Sequence, residues 1–214
     1  MDIVSEDKTG DVNGIYASAS EININNLNVD VNGNSIYGVN IYNGSQMNVA
    51  GNMTIDVKGD TVPSSGIRGY SKFGQRRVER TGDLIIKAES DQRGYGIYNT
   101  SGGKLNVAQN TYITTIGETG HAIFSASNND AGKIGLSGNL NIDSYGDKSY
   151  GIRVIGGTVD VQKNTVINMY GNNTSGIHTS KDGNDLVEGV IDLHGDTIIK
   201  AEEMAIKAFM LLPV

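Results

Sequence analysis

The chain repeats one short phrase seven times. From Asn139 it reads Asn-Leu-Asn-Ile-Asp-Ser-Tyr-Gly-Asp, followed after three residues by Gly151-Ile152. From Asn26 it reads Asn-Leu-Asn-Val-Asp-Val-Asn-Gly-Asn, followed after three residues by Gly38-Val39. The same frame opens at Asn52, Asp83, Asn110, Asn164 and Asp196, with intervals of 25 to 32 residues. Self-similarity at such a period marks a repeat architecture, in which each unit buries its apolar side against its neighbours. The 214 residues therefore read as one domain, 1–214, and not as two globular units.

Three sets of columns appear when the frames are aligned. Three residues after each start stand Val29, Ile55, Ile86, Ile113, Ile142, Ile167 and Ile199. β-Branched aliphatics suit a buried strand. Before each start lies a pair spaced by two: Ile22/Ile24, Met47/Val49, Val78/Arg80, Leu105/Val107, Ile134/Leu136, Val159/Val161 and Ile191/Leu193. Spacing of two is strand spacing. The third set is a small residue followed by an aliphatic, as in Gly14-Ile15, Gly66-Ile67, Gly96-Ile97, Ala122-Ile123 and Gly176-Ile177. Each period thus holds three short strands, the arrangement of a parallel β-helix of about 7–8 coils of about 27 residues. At about 4.8 Å per coil the rod is roughly 35 Å long. The Asn/Asp starts are expected at turns, where these residues tolerate left-handed angles and where stacked amides can bond along the axis. Lys200 to Leu212 could continue as a helix, but its first part copies Asp83 to Ser90, which predicts strand; 200–214 is expected to be a cap or a frayed end.

Phrases such as Gly-Tyr-Gly-Ile-Tyr-Asn (94–99), Gly-Gly-Lys-Leu-Asn-Val (102–107) and Ser-Tyr-Gly-Ile-Arg-Val-Ile-Gly-Gly-Thr-Val-Asp-Val (149–161) resemble the passenger region of bacterial autotransporters. The resemblance runs from about Gly14 to Ala208. It implies an all-β, right-handed, single-stranded parallel β-helix. It also implies a stalk or adhesin at the cell surface or secreted from a Gram-negative bacterium, with a place in virulence. Met1 to Gly10 has no basic-then-apolar signal sequence, and no membrane barrel follows. The chain is accordingly expected to be a fragment of a longer solenoid.

The charge and composition narrow the partners. A net charge of −7 disfavours phosphate backbones, so no nucleic acid is expected. No apolar run is long enough to span a membrane as a helix. Absence of Cys removes thiol chemistry and cysteine metal sites. His121, His178 and His194 fall in different columns, and no Gly-x-Ser-x-Gly turn is present. Asp60, Asp91, Glu118 and Asp147 recur at a second turn. Two carboxylates at that spacing would serve a glycoside hydrolase or a polysaccharide lyase. However, a catalytic pair should break the repeat, and this column obeys it. A structural Ca²⁺ would also want these oxygens, although the Gly-Gly-x-Gly-x-Asp repeat is absent. No catalytic residue, cofactor or resident metal is expected. The rival readings are a β-helix lyase or hydrolase and a phage tailspike segment.

Two features point outward. The basic stretch Arg68 to Arg80 holds Arg68, Tyr70, Lys72, Arg76 and Arg77 and reads as an irregular insertion, a common place for a binding loop. Two residues after each small residue stand Tyr16, Asn40, Arg68, Tyr98, Phe124, Arg153, His178 and Lys207. Strand alternation puts this row opposite the buried aliphatics. Arg68, Tyr70, Lys72, Arg76, Arg77, Tyr98, Phe124 and Arg153 are the candidate surface for a host glycan or protein. Open strand edges also predict end-to-end self-association.

Overall fold

The computed structural model describes residues 1–60, 64–70, 76–100, 102–126, 132–180 and 188–202, with side chains for all of these except 8, 9, 70 and 76–80. Every regular element among them is a strand, numbered in chain order. The first coil is β1 (Asp2–Ser18) and β2 (Glu21–Ile24); the second is β3 (Leu27–Tyr42) and β4 (Gln46–Val49). From there each coil has three separate strands: β5 (Met53–Gly59), β6 (Ser64–Tyr70), β7 (Arg76–Arg80); β8 (Leu84–Ser90), β9 (Gly94–Thr100), β10 (Gly103–Val107); β11 (Thr111–Ile116), β12 (His121–Ala126), β13 (Lys133–Leu136); β14 (Leu140–Tyr145), β15 (Tyr150–Ile155), β16 (Gly157–Val161); β17 (Thr165–Tyr170), β18 (Ser175–Ser180), β19 (Gly189–Leu193). β20 (Thr197–Glu202) closes the described chain as strand, so the start of 200–214 is not helical.

Like strands stack in parallel, coil on coil, and give the solenoid three faces. The first is β5-β8-β11-β14-β17-β20 and the second β6-β9-β12-β15-β18. β1 and β3 are long enough to run through both, which joins them into one 13-stranded sheet. The third face is a separate seven-stranded sheet, β2-β4-β7-β10-β13-β16-β19. The aliphatic columns are in register throughout: Val29 pairs with Ile55, then Ile86, Ile113, Ile142, Ile167 and Ile199. All but the last are at most 2% exposed, and Ile199, at the end of the rod, is 45% exposed. The core is therefore a stack of such rows, closed laterally by the three faces.

The corner before the first face is held by the Asn/Asp column. The backbone N–H groups of Asn52, Asp83, Asn110, Asn139, Asn164 and Asp196 donate to Oδ1 of Asn26, Asn52, Asp83, Asn110, Asn139 and Asn164, at 2.9–3.3 Å. In return the residue after each start donates to the start carbonyl of the next coil, as Leu84 to Asn110 and Leu140 to Asn164, both at 2.9 Å. Only Oδ1 is used, which is why Asn and Asp interchange here. The expected left-handed backbone is not what selects them, since none of the column has positive φ.

The glycines of the small-aliphatic pairs have a related explanation. Gly38, Gly66, Gly96, Gly151 and Gly176 also lack positive φ. A Cβ on any of them would collide with Cγ2 of Ile55, Ile86, Ile113, Ile167 or Ile199, one coil further on. Close packing between coils, and not turn geometry, keeps these positions small. The ladders skip this residue: Tyr95 pairs with His121 and Ile97 with Ile123, with no partner pair between them. The strand bends there, and the small residue and the aliphatic after it both point inward.

The basic stretch 68–80 is mostly regular rung. Arg68 lies within β6, and Arg76 to Arg80 form β7 in register between β4 and β10. Only 71–75 falls outside the described residues.

Candidate functional site

Because the small residue and the aliphatic after it both point inward, the two residues that flank this pair stand on the same outer side. The second face therefore carries two adjacent outward rows. One is the expected row, Tyr16-Asn40-Arg68-Tyr98-Phe124-Arg153-His178. The other, Asn13-Tyr37-Ser65-Tyr95-His121-Tyr150-Ser175, was not anticipated as a surface feature. Its signal was present in Tyr37, Tyr95 and Tyr150, at one place in three repeats.

The rows interlock. Tyr98 and Phe124 stack with centroids 5.3 Å apart and planes 16° apart. Tyr95 meets Tyr98 edge-on at 5.0 Å and His121 at 5.3 Å. His121 meets Tyr150 at 5.0 Å, and Tyr150 meets His178 at 5.1 Å. Arg153 lies over Tyr150 at 5.0 Å and Phe124 at 5.7 Å, and Arg68 lies over Tyr37 at 4.6 Å. Such pairs add about 0.5–1.5 kcal/mol each beyond burial. The ring faces are thus largely spent on one another, and the surface offers ring edges, hydroxyls and guanidinium N–H groups. For the same reason the row is less exposed than alternation alone implies: Arg68, Tyr98, Phe124 and Arg153 are half-buried and Asn40 is buried.

His121 is 5% exposed, and burial, with help from Arg153 and Arg93, pushes its pKa down to about 4. The neutral ring donates from Nδ1 to the Gly120 carbonyl at 2.8 Å. That leaves Nε2 as the acceptor facing Nη1 of Arg153, 3.4 Å away. Burial likewise raises the Tyr95 hydroxyl, although its hydrogen bond from Arg93 opposes this.

A shallow groove of about 150 Å³ opens between Tyr37, Ser65, Arg68, Arg93, Tyr95 and Tyr98. A larger one, about 510 Å³, runs along Asn23, Asn48 and Asn106, and no titratable side chain lines it among the described residues. Among the described residues neither is lined by a carboxylate. At the second turn the Asp147 carboxylate accepts from the backbone N–H of Asn172 at 2.7 Å, so it serves the coil stack as the Asn ladder does. Among the described residues no group of three His, Asp or Glu is placed to hold a metal ion.

Of the eight predicted surface residues, Arg68, Tyr98, Phe124 and Arg153 come together on the second face. Tyr70 ends β6 opposite Thr100. Arg76 and Arg77 belong to the third face, opposite Gly103 and Lys104, so they do not extend that row. Lys72 lies outside the described residues, as does Lys207 at the end of the expected row. No known family model matches the chain, no curated protein matches it, and no solved structure matches it. The chain belongs, on its own coordinates, to the parallel β-solenoids.

Proposed function

We propose that the chain is a rigid stalk segment of an autotransporter-like protein, displayed on or secreted from a Gram-negative bacterium. Its second face docks a host glycan or surface protein, and its role is not catalytic. The observation that carries this reading is the interlocked row Tyr98-Phe124-Arg153 with Tyr95, His121 and Tyr150. The coil stack is also held by backbone ladders on all three faces and by the Asn/Asp column at the corner before the first face. Large rings and guanidinium groups on an outer face are the residue types that anchor recognition surfaces. The repeat grammar of 94–99, 102–107 and 149–161 supports the autotransporter-like assignment.

Two measurements test it. Antibody raised to the chain should label intact cells of its source, and external protease should remove the signal. A glycan array should give binding that Tyr98→Ala or Arg153→Ala abolishes while Arg76→Ala/Arg77→Ala, on a different face, leaves it in place. Labelling only after cell lysis would refute the display, and turnover of a polysaccharide would refute the non-catalytic role.

A further inference from the structure

The groove between the second, third and fourth coils gathers two cations that form no ion pair with a described residue. Arg68 and Arg93 line it. Among the described residues neither makes an ion pair, whereas Lys58, Lys87 and Lys148 each do. The chain carries seven more negative than positive charges, so two guanidinium groups on one groove with no ion pair among the described residues depart from its composition. Arg68 has surrendered part of its hydration to the Tyr37 ring, 4.6 Å away, without gaining a counter-charge. Tyr37, Tyr95, Tyr98 and Ser65 complete the lining with hydroxyls and ring edges.

We infer that this groove binds a sugar ring bearing a carboxylate, a deepening that rests on the docking reading above. A guanidinium holds a carboxylate through two parallel N–H···O bonds, and this is the counter-charge the site lacks. The hydroxyl-rich walls suit the remaining ring oxygens. A volume of about 150 Å³ falls well below the ~300–1,000 Å³ of sites that engulf a drug-sized ligand. One ring seats, and the rest of the glycan lies along the face.

The test is calorimetric titration of the whole chain with sialyllactose, with lactose as the same glycan lacking the acidic ring, and with triglutamate as a non-sugar polyanion. Sialyllactose is expected to bind at least tenfold tighter than both. Arg93→Gln, in an exposed loop, and Arg68→Gln should each weaken it at least fivefold with melting unchanged, while Lys148→Gln at a remote turn leaves it as it was. Raising salt from about 20 to about 200 mM should weaken binding severalfold, because the site is open to solvent. Equal affinity for lactose or for triglutamate, or no binding of sialyllactose, overturns the acidic-sugar assignment. Lactose or triglutamate binding that Tyr98→Ala abolishes would overturn it while leaving the docking reading standing; loss of all binding would remove both and leave only the stalk.

Discussion

Ile142→Ala and Ile199→Ala make the same change in the same column and should have very different costs. Ile142 is 1% exposed and paired in register with Ile113 and Ile167, while Ile199, in the last described strand, is 45% exposed. Truncation removes three carbons beyond Cβ. At about 0.8 kcal/mol for each, the transfer loss at Ile142 is about 2.4 kcal/mol. A cavity closed between coils adds to this and brings the cost to about 3–4 kcal/mol, inside the range for buried Ile to Ala. At Ile199 nearly half of the side chain already meets water and no closed cavity forms, so about 1 kcal/mol is expected. Solenoid coils are coupled to their nearest neighbours. Ile142→Ala should therefore also split or broaden the transition, as the coils on either side lose a shared interface. Urea unfolding followed by far-ultraviolet circular dichroism reads both quantities. Equal costs at the two sites, or a loss below about 1 kcal/mol at Ile142, would refute a core built of stacked rows that opens at Ile199.

Asn139→Ala should cost about 1 kcal/mol in the same assay, because the N–H of Asn164 loses its acceptor at a corner water can partly reach; Asn139→Asp should stay within about 0.5 kcal/mol, since its column neighbours Asn110 and Asn164 are neutral. Acidification should destabilise the chain through His121. Its folded pKa of about 4 lies below the ordinary imidazole value, so its contribution is complete above pH ~6.5 and is lost as pH falls toward 4, by up to about 3 kcal/mol. His121→Phe, which keeps a ring between Tyr95 and Tyr150, should flatten that slope; an unchanged slope would move its cause elsewhere. Sedimentation should show mass rising with concentration, because β20 is exposed along its length, with Ile198 and Ile199 open within it and Val190 open on β19; a concentration-independent monomer would contradict this.

The sequence revealed the rods of aliphatic residues because their chemistry and their spacing agree. Val29 to Ile199 can be aligned by eye, and the pairing follows residue by residue. The Asn and Gly columns were visible but their causes were not. A turn preference and a bond to the next coil select the same residue at Asn139, and only coordinates separate them. Gly96 stands in a visible column, but the reason it stays small is the methyl group of Ile113, one coil on, beside it. Half of the candidate surface was legible for a similar reason. Strict alternation exposes Tyr98 but not Tyr95, and the inward bend at Gly96 brings the two rings together. Arg76 and Arg77, read as a binding loop near Arg68, fall on β7 of the third face and not on the second face with Arg68.

The Asn/Asp column also bears on how long such a rod is. Each coil accepts one hydrogen bond from its successor and donates one to its predecessor, by the same atoms at every step. A junction of this kind carries no record of its place in the series. Coils could be gained or lost by whole-period exchange without any surviving junction having to change, so length is the property of this molecule that selection can adjust most freely.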